Sequence, residues 1–194
     1  MDKPTVHKNY RQFYYKLGKG RILEILFRYP DREFSLSQLA KEAKVAKANI
    51  GKILDELLQS GFVEVTRLSN LMRIVAKKDS FNFIRAKISY NLNFIYQSGL
   101  VEFLNSYFNN PKAIVLFGSF RKGEDIANSD IDIAIEADKD AEYKVIRLKE
   151  LSGFEKEIGK DIQLHIFGRN KIDINIFNNI ANGIVLLGFL EVKK

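Results

Sequence analysis

Leu116-Phe117-Gly118-Ser119 and, ten residues later, Asp130-Ile131-Asp132-Ile133-Ala134-Ile135 are the stretches that decide the fold of this chain. A Gly-Ser pair ends one apolar run, and two carboxylates open the next. Short apolar runs bounded by turn residues predict buried strands. Alternation along the second strand puts Asp130 and Asp132 on the same face of the sheet.

These residue types suit the binding of a nucleoside triphosphate and of metal ions. Gly118 lets the backbone approach a phosphate because it has no Cβ, Ser119 offers a hydroxyl, and Lys122 adds positive charge nearby. Two adjacent carboxylates repel each other unless a cation lies between them. Mg²⁺ prefers such oxygen ligands, completed by water and substrate phosphates. Two Mg²⁺ ions would activate an attacking hydroxyl and stabilise a leaving pyrophosphate.

A third carboxylate, Asp161, opens another alternating stretch that ends at Phe167. If this strand lies beside the Asp130 strand, Asp161 joins the other two carboxylates. His165 shares the alternation of Asp161 and is interpreted as a core or site-edge residue before a catalytic base. Asp125 is interpreted as a solvated loop charge. Helical spacing over 143–158 places a helix between the last two strands, which predicts an α/β domain.

The pattern Gly118-Ser119, ten residues, Asp130-x-Asp132 and a later Asp161 is similar to that of the DNA polymerase beta superfamily. Its short form resembles the minimal nucleotidyltransferases related to kanamycin nucleotidyltransferase, over residues 112–167. The resemblance implies Mg²⁺-dependent transfer of a nucleoside monophosphate from a triphosphate, with ATP expected, to an acceptor hydroxyl. The site residues that it implies are Gly118, Ser119, Lys122 and Ser129 for the nucleotide, and Asp130, Asp132 and Asp161 for metal and catalysis.

The first part of the chain predicts three helices followed by a hairpin. Helical spacing covers 21–29, a capping box of Ser35 and Gln38 starts the second helix, and the third runs over 46–60. Alternation over 62–66 and 71–76 predicts two strands joined by a turn at 68–70. This order is typical of a winged helix-turn-helix, which residues 36–65 resemble closely.

Charge favours double-stranded DNA as a partner of this module. Residues 1–110 hold 18 Lys and Arg against 10 Asp and Glu, whereas residues 111–194 hold 13 against 14. Two departures weaken the DNA-binding interpretation but not the winged-helix fold: Lys44 stands where glycine is frequent, and Ala46 stands where Ser or Thr commonly caps a helix. A protein-contact role stays open. The predicted DNA-binding residues are Lys44, Lys47, Asn49, Lys52, Arg67 and Arg73.

These patterns predict a two-domain α+β protein: a winged helix over 1–78, a linking helix over 79–110 and a polymerase-beta-like domain with a mixed sheet over 111–194. A break in the linking helix is expected at Ser98-Gly99. The aromatic residues of this helix fit either a homodimer seam or a core, and we favour the core. The chain has no Cys and no run of ~20 apolar residues, so no membrane association and a cytoplasmic location are expected.

Three functions remain compatible with the sequence. The first is a nucleotidyltransferase with a DNA-binding module, which the family resemblance extends to a self-regulating antitoxin that modifies a HEPN-type toxin. The second is a DNA-binding regulator whose transferase domain only senses nucleotide. The third is a modifier of small molecules or tRNA ends. They differ in whether pyrophosphate is released and in whether duplex DNA or RNA is bound.

Overall fold

A computed structural model describes residues 17–68 and 71–192. The described residues divide into two compact units between Tyr90 and Asn91. The division falls inside the predicted linking helix, and the predicted domain limits stay predictions. The helices within 17–68 and 71–192 are all too short or too polar to cross a membrane.

The N-terminal unit has the predicted order of three helices and a hairpin. Its sheet is antiparallel, and the strand Leu71–Ala76 lies in the middle, between Phe34–Ser35 and Val63–Leu68. The two-residue strand Phe34–Ser35 is too short to show alternation and was not predicted. Residues 69–70 of the predicted turn lie outside the described residues, as do residues 1–16. The elements are α1 (Gly18–Arg28), β1 (Phe34–Ser35), α2 (Leu36–Glu42), α3 (Lys47–Gln59), β2 (Val63–Leu68) and β3 (Leu71–Ala76).

The ends of α2 and α3 differ in how well they are capped. Ser35 Oγ accepts the Gln38 N–H (3.3 Å) and Gln38 Oε1 accepts the Ser35 N–H (2.9 Å), which confirms the capping box. Ala46 is the N-cap of α3 and supplies no side-chain acceptor. Lys44, in the preceding turn, has φ +52°, the left-handed conformation that favours glycine. Both expected departures are therefore real.

Ala46→Ser is expected to stabilise the N-terminal unit by about 1 kcal/mol, because a serine hydroxyl at the N-cap accepts a free N–H of the first turn. Denaturant unfolding measures the change. Ala48→Ser is the matched control: Ala48 is exposed inside α3, where serine has lower helix propensity than alanine. An equal effect of the two substitutions would contradict the capping argument.

The C-terminal unit is built on a five-stranded mixed sheet. The predicted break at Ser98-Gly99 is confirmed, since Gly99 has φ +85° between two helices. A 3₁₀ turn at Lys149–Leu151 directly precedes the helix Ser152–Ile158. The elements are α4 (Phe81–Gln97, which starts in the first unit), α5 (Leu100–Tyr107), β4 (Ala113–Phe117), α6 (Gly118–Lys122), β5 (Ile131–Glu136), β6 (Lys144–Ile146), α7 (Ser152–Ile158), β7 (Ile162–Phe167), α8 (Ile174–Ala181) and β8 (Ile184–Gly188).

The sheet has the strand order β6-β7-β5-β4-β8. The central pair β5 and β7 is parallel, and the other neighbours are antiparallel. The helix predicted over 143–158 is wrong in its first half, where β6 forms. Val145, Ile146, Leu148 and Leu151 mimic helical spacing across a strand, a loop and a turn, so the pattern alone did not separate them.

The register of the central strands positions the predicted site. All five residues of β4 are buried, and β5 is buried except near its start. Phe117 lies opposite Asp132 in the antiparallel pair, and Ile131 lies opposite Ile162 in the parallel pair. The end of β4 and the starts of β5 and β7 therefore meet at one end of the sheet.

Candidate functional site

Gly118 and Asp132 approach each other as closely as a glycine permits. Gly118 follows β4 with φ +73°, and a Cβ there would lie 2.3 Å from Asp132 Oδ2. Both the backbone conformation and the missing side chain therefore require glycine at this position. The carboxylate of Asp132 keeps 26% of its side-chain surface exposed, so it is reachable from solvent.

Asp130 and Asp161 share one cation, Arg147, which follows β6. Arg147 Nη1 donates to Asp161 Oδ2 (2.7 Å), and Nη2 lies 3.4 Å from both carboxylate oxygens of Asp130. The side chains of Asp130 and Asp161 are 30% and 57% exposed. The structure thus brings the first and third predicted carboxylates together, with a guanidinium between them.

Gln163 holds the register position that lies across from Asp132 in the parallel pair. Its amide donates a hydrogen bond to Asp130 Oδ2. Asp161 directly precedes β7. Within residues 17–68 and 71–192, no three His, Cys, Asp or Glu side chains form a group able to hold a metal ion.

Two further side chains orient Asp132. His165 Nε2 lies 3.2 Å from Asp132 Oδ1, and Tyr143 Oη lies 2.7 Å from His165 Nδ1. An ionised carboxylate only accepts, so Nε2 is assigned the hydrogen and donates it to Asp132, and in that tautomer Nδ1 accepts the tyrosine O–H. Burial raises the pKa of Tyr143, and the charge of Asp132 raises it further, which keeps this hydroxyl protonated. His165 is thus a site-edge residue, as expected.

The predicted nucleotide residues fall in two places, α6 and the loop before β5. Ser119 and Lys122 lie in α6. A cavity of about 580 Å³ opens beside Gly118 and is lined by Phe117, Gly118, Arg121, Lys122, Asn179 and Asn182. Ser129 lies apart from this cavity, in the loop before β5, where its Oγ accepts the Ile126 N–H (3.0 Å). Two cations, Arg121 and Lys122, therefore line the cavity, and its edge at Gly118 lies close to Asp132.

Asp125 is buried, so its interpretation as a solvated charge is wrong. Lys160 Nζ lies 3.1 Å from Asp125 Oδ2, and both side chains are almost fully enclosed. Asn91 Nδ2 donates to Asp125 Oδ1 (2.9 Å) and to the Phe120 carbonyl (2.7 Å), while Lys160 also donates to the Ile126 carbonyl. This network anchors the loop that ends at Asp130.

The predicted DNA-binding residues lie on the surface of the N-terminal unit. Lys44, Lys47, Asn49 and Lys52 are exposed on the turn before α3 and on its first half, and Arg67 is exposed on β2. Arg73, on β3, is paired with Glu33, and this hydrogen bond raises the pKa of the arginine. A phosphate would have to displace Glu33 in order to bind Arg73. Binding to the lysines of α3 would not require this displacement.

The sequence interpretation missed Arg147, Gln163 and Tyr143. The sequence could have indicated Gln163, because Asp161, Gln163 and His165 lie on the same face of one strand. Arg147 and Tyr143 flank the short β6, which was predicted as part of a helix, so no pattern singled them out.

Two family models match different parts of the chain. Residues 98–180 match the nucleotidyltransferase domain, a range that includes Gly118, Asp130, Asp132 and Asp161. Residues 17–75 match the MarR family. The predicted arrangement of an N-terminal winged helix and a C-terminal nucleotidyltransferase domain is confirmed. No curated protein matches the chain.

Among solved structures, the chain is similar to the heme sensor protein PefR from Streptococcus agalactiae in complex with heme, with 12% identity, 52% of this chain and 73% of that chain covered, and a TM-score of 0.32. A structure of PefR in complex with heme and carbon monoxide has 11% identity, 53% and 82% coverage and a TM-score of 0.31. Neither likeness bears on the fold or on the function of this chain.

Proposed function

We propose that this chain, a MarR-family domain followed by a nucleotidyltransferase domain, transfers a nucleoside monophosphate from a nucleoside triphosphate to an acceptor hydroxyl and binds double-stranded DNA. The observation that carries the transferase half is the approach of Gly118 to Asp132 beside a basic cavity. A glycine that no other residue can replace, next to a carboxylate and two cations, suits a bound phosphate.

The donor set fits Mg²⁺. Asp130 and Asp132 extend from one strand face, both partly exposed, and Mg²⁺ is commonly held by one or two carboxylates together with substrate phosphates and water. When bound, Mg²⁺ would neutralise phosphate charge and lower the pKa of an attacking hydroxyl. Two further points stay predictions: a second ion held by Asp161, and activation of the acceptor hydroxyl by Asp161.

The residues of the chain supply the positioning that phosphoryl transfer requires. The absence of a Cβ at Gly118 lets the Asp132 carboxylate lie against the backbone beside the basic cavity. Arg121 and Lys122 give the cavity positive charge for the rest of the triphosphate. Tyr143 and His165 hold Asp132 in one orientation, so this carboxylate does not have to be ordered when substrate binds.

Transfer of a label from the α-phosphate tests this proposal. Each of the four triphosphates is supplied with Mg²⁺ and with one acceptor pool: small hydroxyl compounds, RNA or protein. Pyrophosphate release together with label on one pool supports the proposal and identifies the acceptor class. Nucleotide binding that changes DNA affinity, without pyrophosphate release in any pool, would instead support a nucleotide-sensing regulator. ATP as donor and a HEPN-type toxin as acceptor are predictions from the family resemblance.

The DNA-binding half of the proposal rests on a lysine placed where the helix itself disfavours it, beside two further exposed lysines, Lys44 and Lys52. Lys47 is the first residue of α3, and no acidic residue lies in that first turn. The positive end of a helix dipole repels a cation, so Lys47 does not serve the stability of this helix. In a winged helix this helix enters the major groove, where lysines contact phosphates.

Lys47→Gln is expected to weaken binding to a duplex of mixed sequence and to reduce the slope of log K against log salt by about 0.9, the loss of one phosphate contact. The unfolding temperature should not fall, because the dipole repulsion is removed. Lys139→Gln, an exposed lysine of the other unit, is the charge-matched control. A slope that changes equally in both variants would contradict a DNA surface at α3.

A further inference from the structure

Arg147 is placed as a cation would be among the carboxylates of the site. Its guanidinium contacts Asp161 Oδ2 at 2.7 Å and lies 3.4 Å from both oxygens of Asp130. It comes from the residue after β6, a three-residue strand at the edge of the sheet that pairs only with β7. Its side chain is 53% exposed.

The backbone forces Asp130 and Asp161 together. Each residue directly precedes its strand, and the parallel register puts Ile131 opposite Ile162. The Ile131 N–H donates to the Asp161 carbonyl at 2.9 Å, which ties the two strand starts side by side. Two carboxylates held this way repel each other, so a cation between them stabilises the arrangement.

We infer that Arg147 is a positioning residue that holds Asp130 and Asp161 in the metal-free protein and competes with a divalent cation for Asp130. The inference rests on the proposed function, since it takes Asp130 as a metal ligand. Arg147 directly follows a three-residue edge strand, and about half of its side chain is exposed to solvent. Its guanidinium can leave Asp130 when a metal binds, while the Asp161 contact can persist.

Mn²⁺ binding without nucleotide tests this competition. Mn²⁺ accepts the same oxygen ligands as Mg²⁺, and electron paramagnetic resonance counts the free ion. Arg147→Gln is expected to bind Mn²⁺ at least about fivefold more tightly than the unaltered protein. This factor corresponds to the interaction energy of two unit charges about 4 Å apart in water. Arg147→Lys, with a single donor group, should lie between them.

Two controls separate competition from other effects. Lys149→Gln removes a positive charge two residues along the chain and should change Mn²⁺ affinity much less. Arg147→Gln combined with Asp130→Asn should lose the gain, because the gain requires the Asp130 carboxylate. A purely structural role of Arg147 would weaken metal binding when the residue is replaced, so tighter binding is diagnostic.

An unchanged or weaker Mn²⁺ affinity of Arg147→Gln overturns the inference. If the unaltered protein still binds Mn²⁺ in the presence of a triphosphate, the proposed function stands without the inference about Arg147. If no variant binds Mn²⁺, with or without any of the four triphosphates, the metal site and the inference fail together.

Discussion

Asp132→Asn is expected to lower Mg²⁺-dependent nucleotide transfer about 10³-fold or more. The substitution keeps the size of the side chain and its acceptor for His165 but removes the charge that faces Gly118. Loss of metal-ion stabilisation of the transferring phosphate is worth several kcal/mol. The rate of pyrophosphate release, with the acceptor pool that the unaltered protein labels, measures the effect.

Glu124→Gln is the matched control for Asp132→Asn. Glu124 is an exposed carboxylate of the loop between α6 and β5, so its replacement removes one negative charge near the site without touching Gly118 or β5. Transfer should stay within about twofold of the unaltered rate, as expected for screened surface charge. An equal loss in both variants would contradict a specific role of Asp132.

Asp125→Asn is expected to destabilise the C-terminal unit by about 3 kcal/mol. The amide can still accept from Asn91, but the buried ammonium of Lys160 then has no opposing charge. Breaking a buried ion pair on one side typically costs about 3–5 kcal/mol. Calorimetric melting of the full chain should show the transition of this unit lowered by at least about 10 °C.

A second substitution tests the cause of that loss. Lys160→Met in the Asp125→Asn background removes the unpaired charge and keeps an apolar side chain of similar length, so most of the lost stability should return. If the double variant is as unstable as Asp125→Asn alone, the loss does not come from the buried charge. The ion-pair explanation would then be wrong.

The parts of the site that the sequence predicted are carried by local patterns. Strand alternation joined Asp130 to Asp132, and a Gly-Ser pair at the end of an apolar run located the approach to Asp132. The capping box at Ser35, the break at Gly99 and the left-handed Lys44 were likewise local. Each depends on residues a few positions apart, so one sequence is enough to predict it.

The parts that were missed depend on distant partners. The burial of Asp125 depends on Lys160, 35 positions later, and nothing near Asp125 indicates it. Arg147 reaches the carboxylates only because β6 joins the edge of the sheet. The three residues of β6 lie within a stretch that has apparent helical spacing, so the strand was not predicted. Alternation puts Gln163 on the same strand face as Asp161, but its position opposite Asp132 is set by the register of β7 against β5, which alternation leaves open.

The measurement that tests the central claim most directly is calorimetric titration of ATP, GTP, CTP and UTP, each with and without Mg²⁺. It compares the unaltered protein with the double variant Asp130→Asn and Asp132→Asn, and it needs no acceptor. We predict Mg²⁺-dependent binding of at least one triphosphate to the unaltered protein and its loss in the double variant. Absence of binding, or binding that Mg²⁺ and the double variant leave unchanged, would contradict a metal-dependent nucleotide site at Gly118 and these carboxylates.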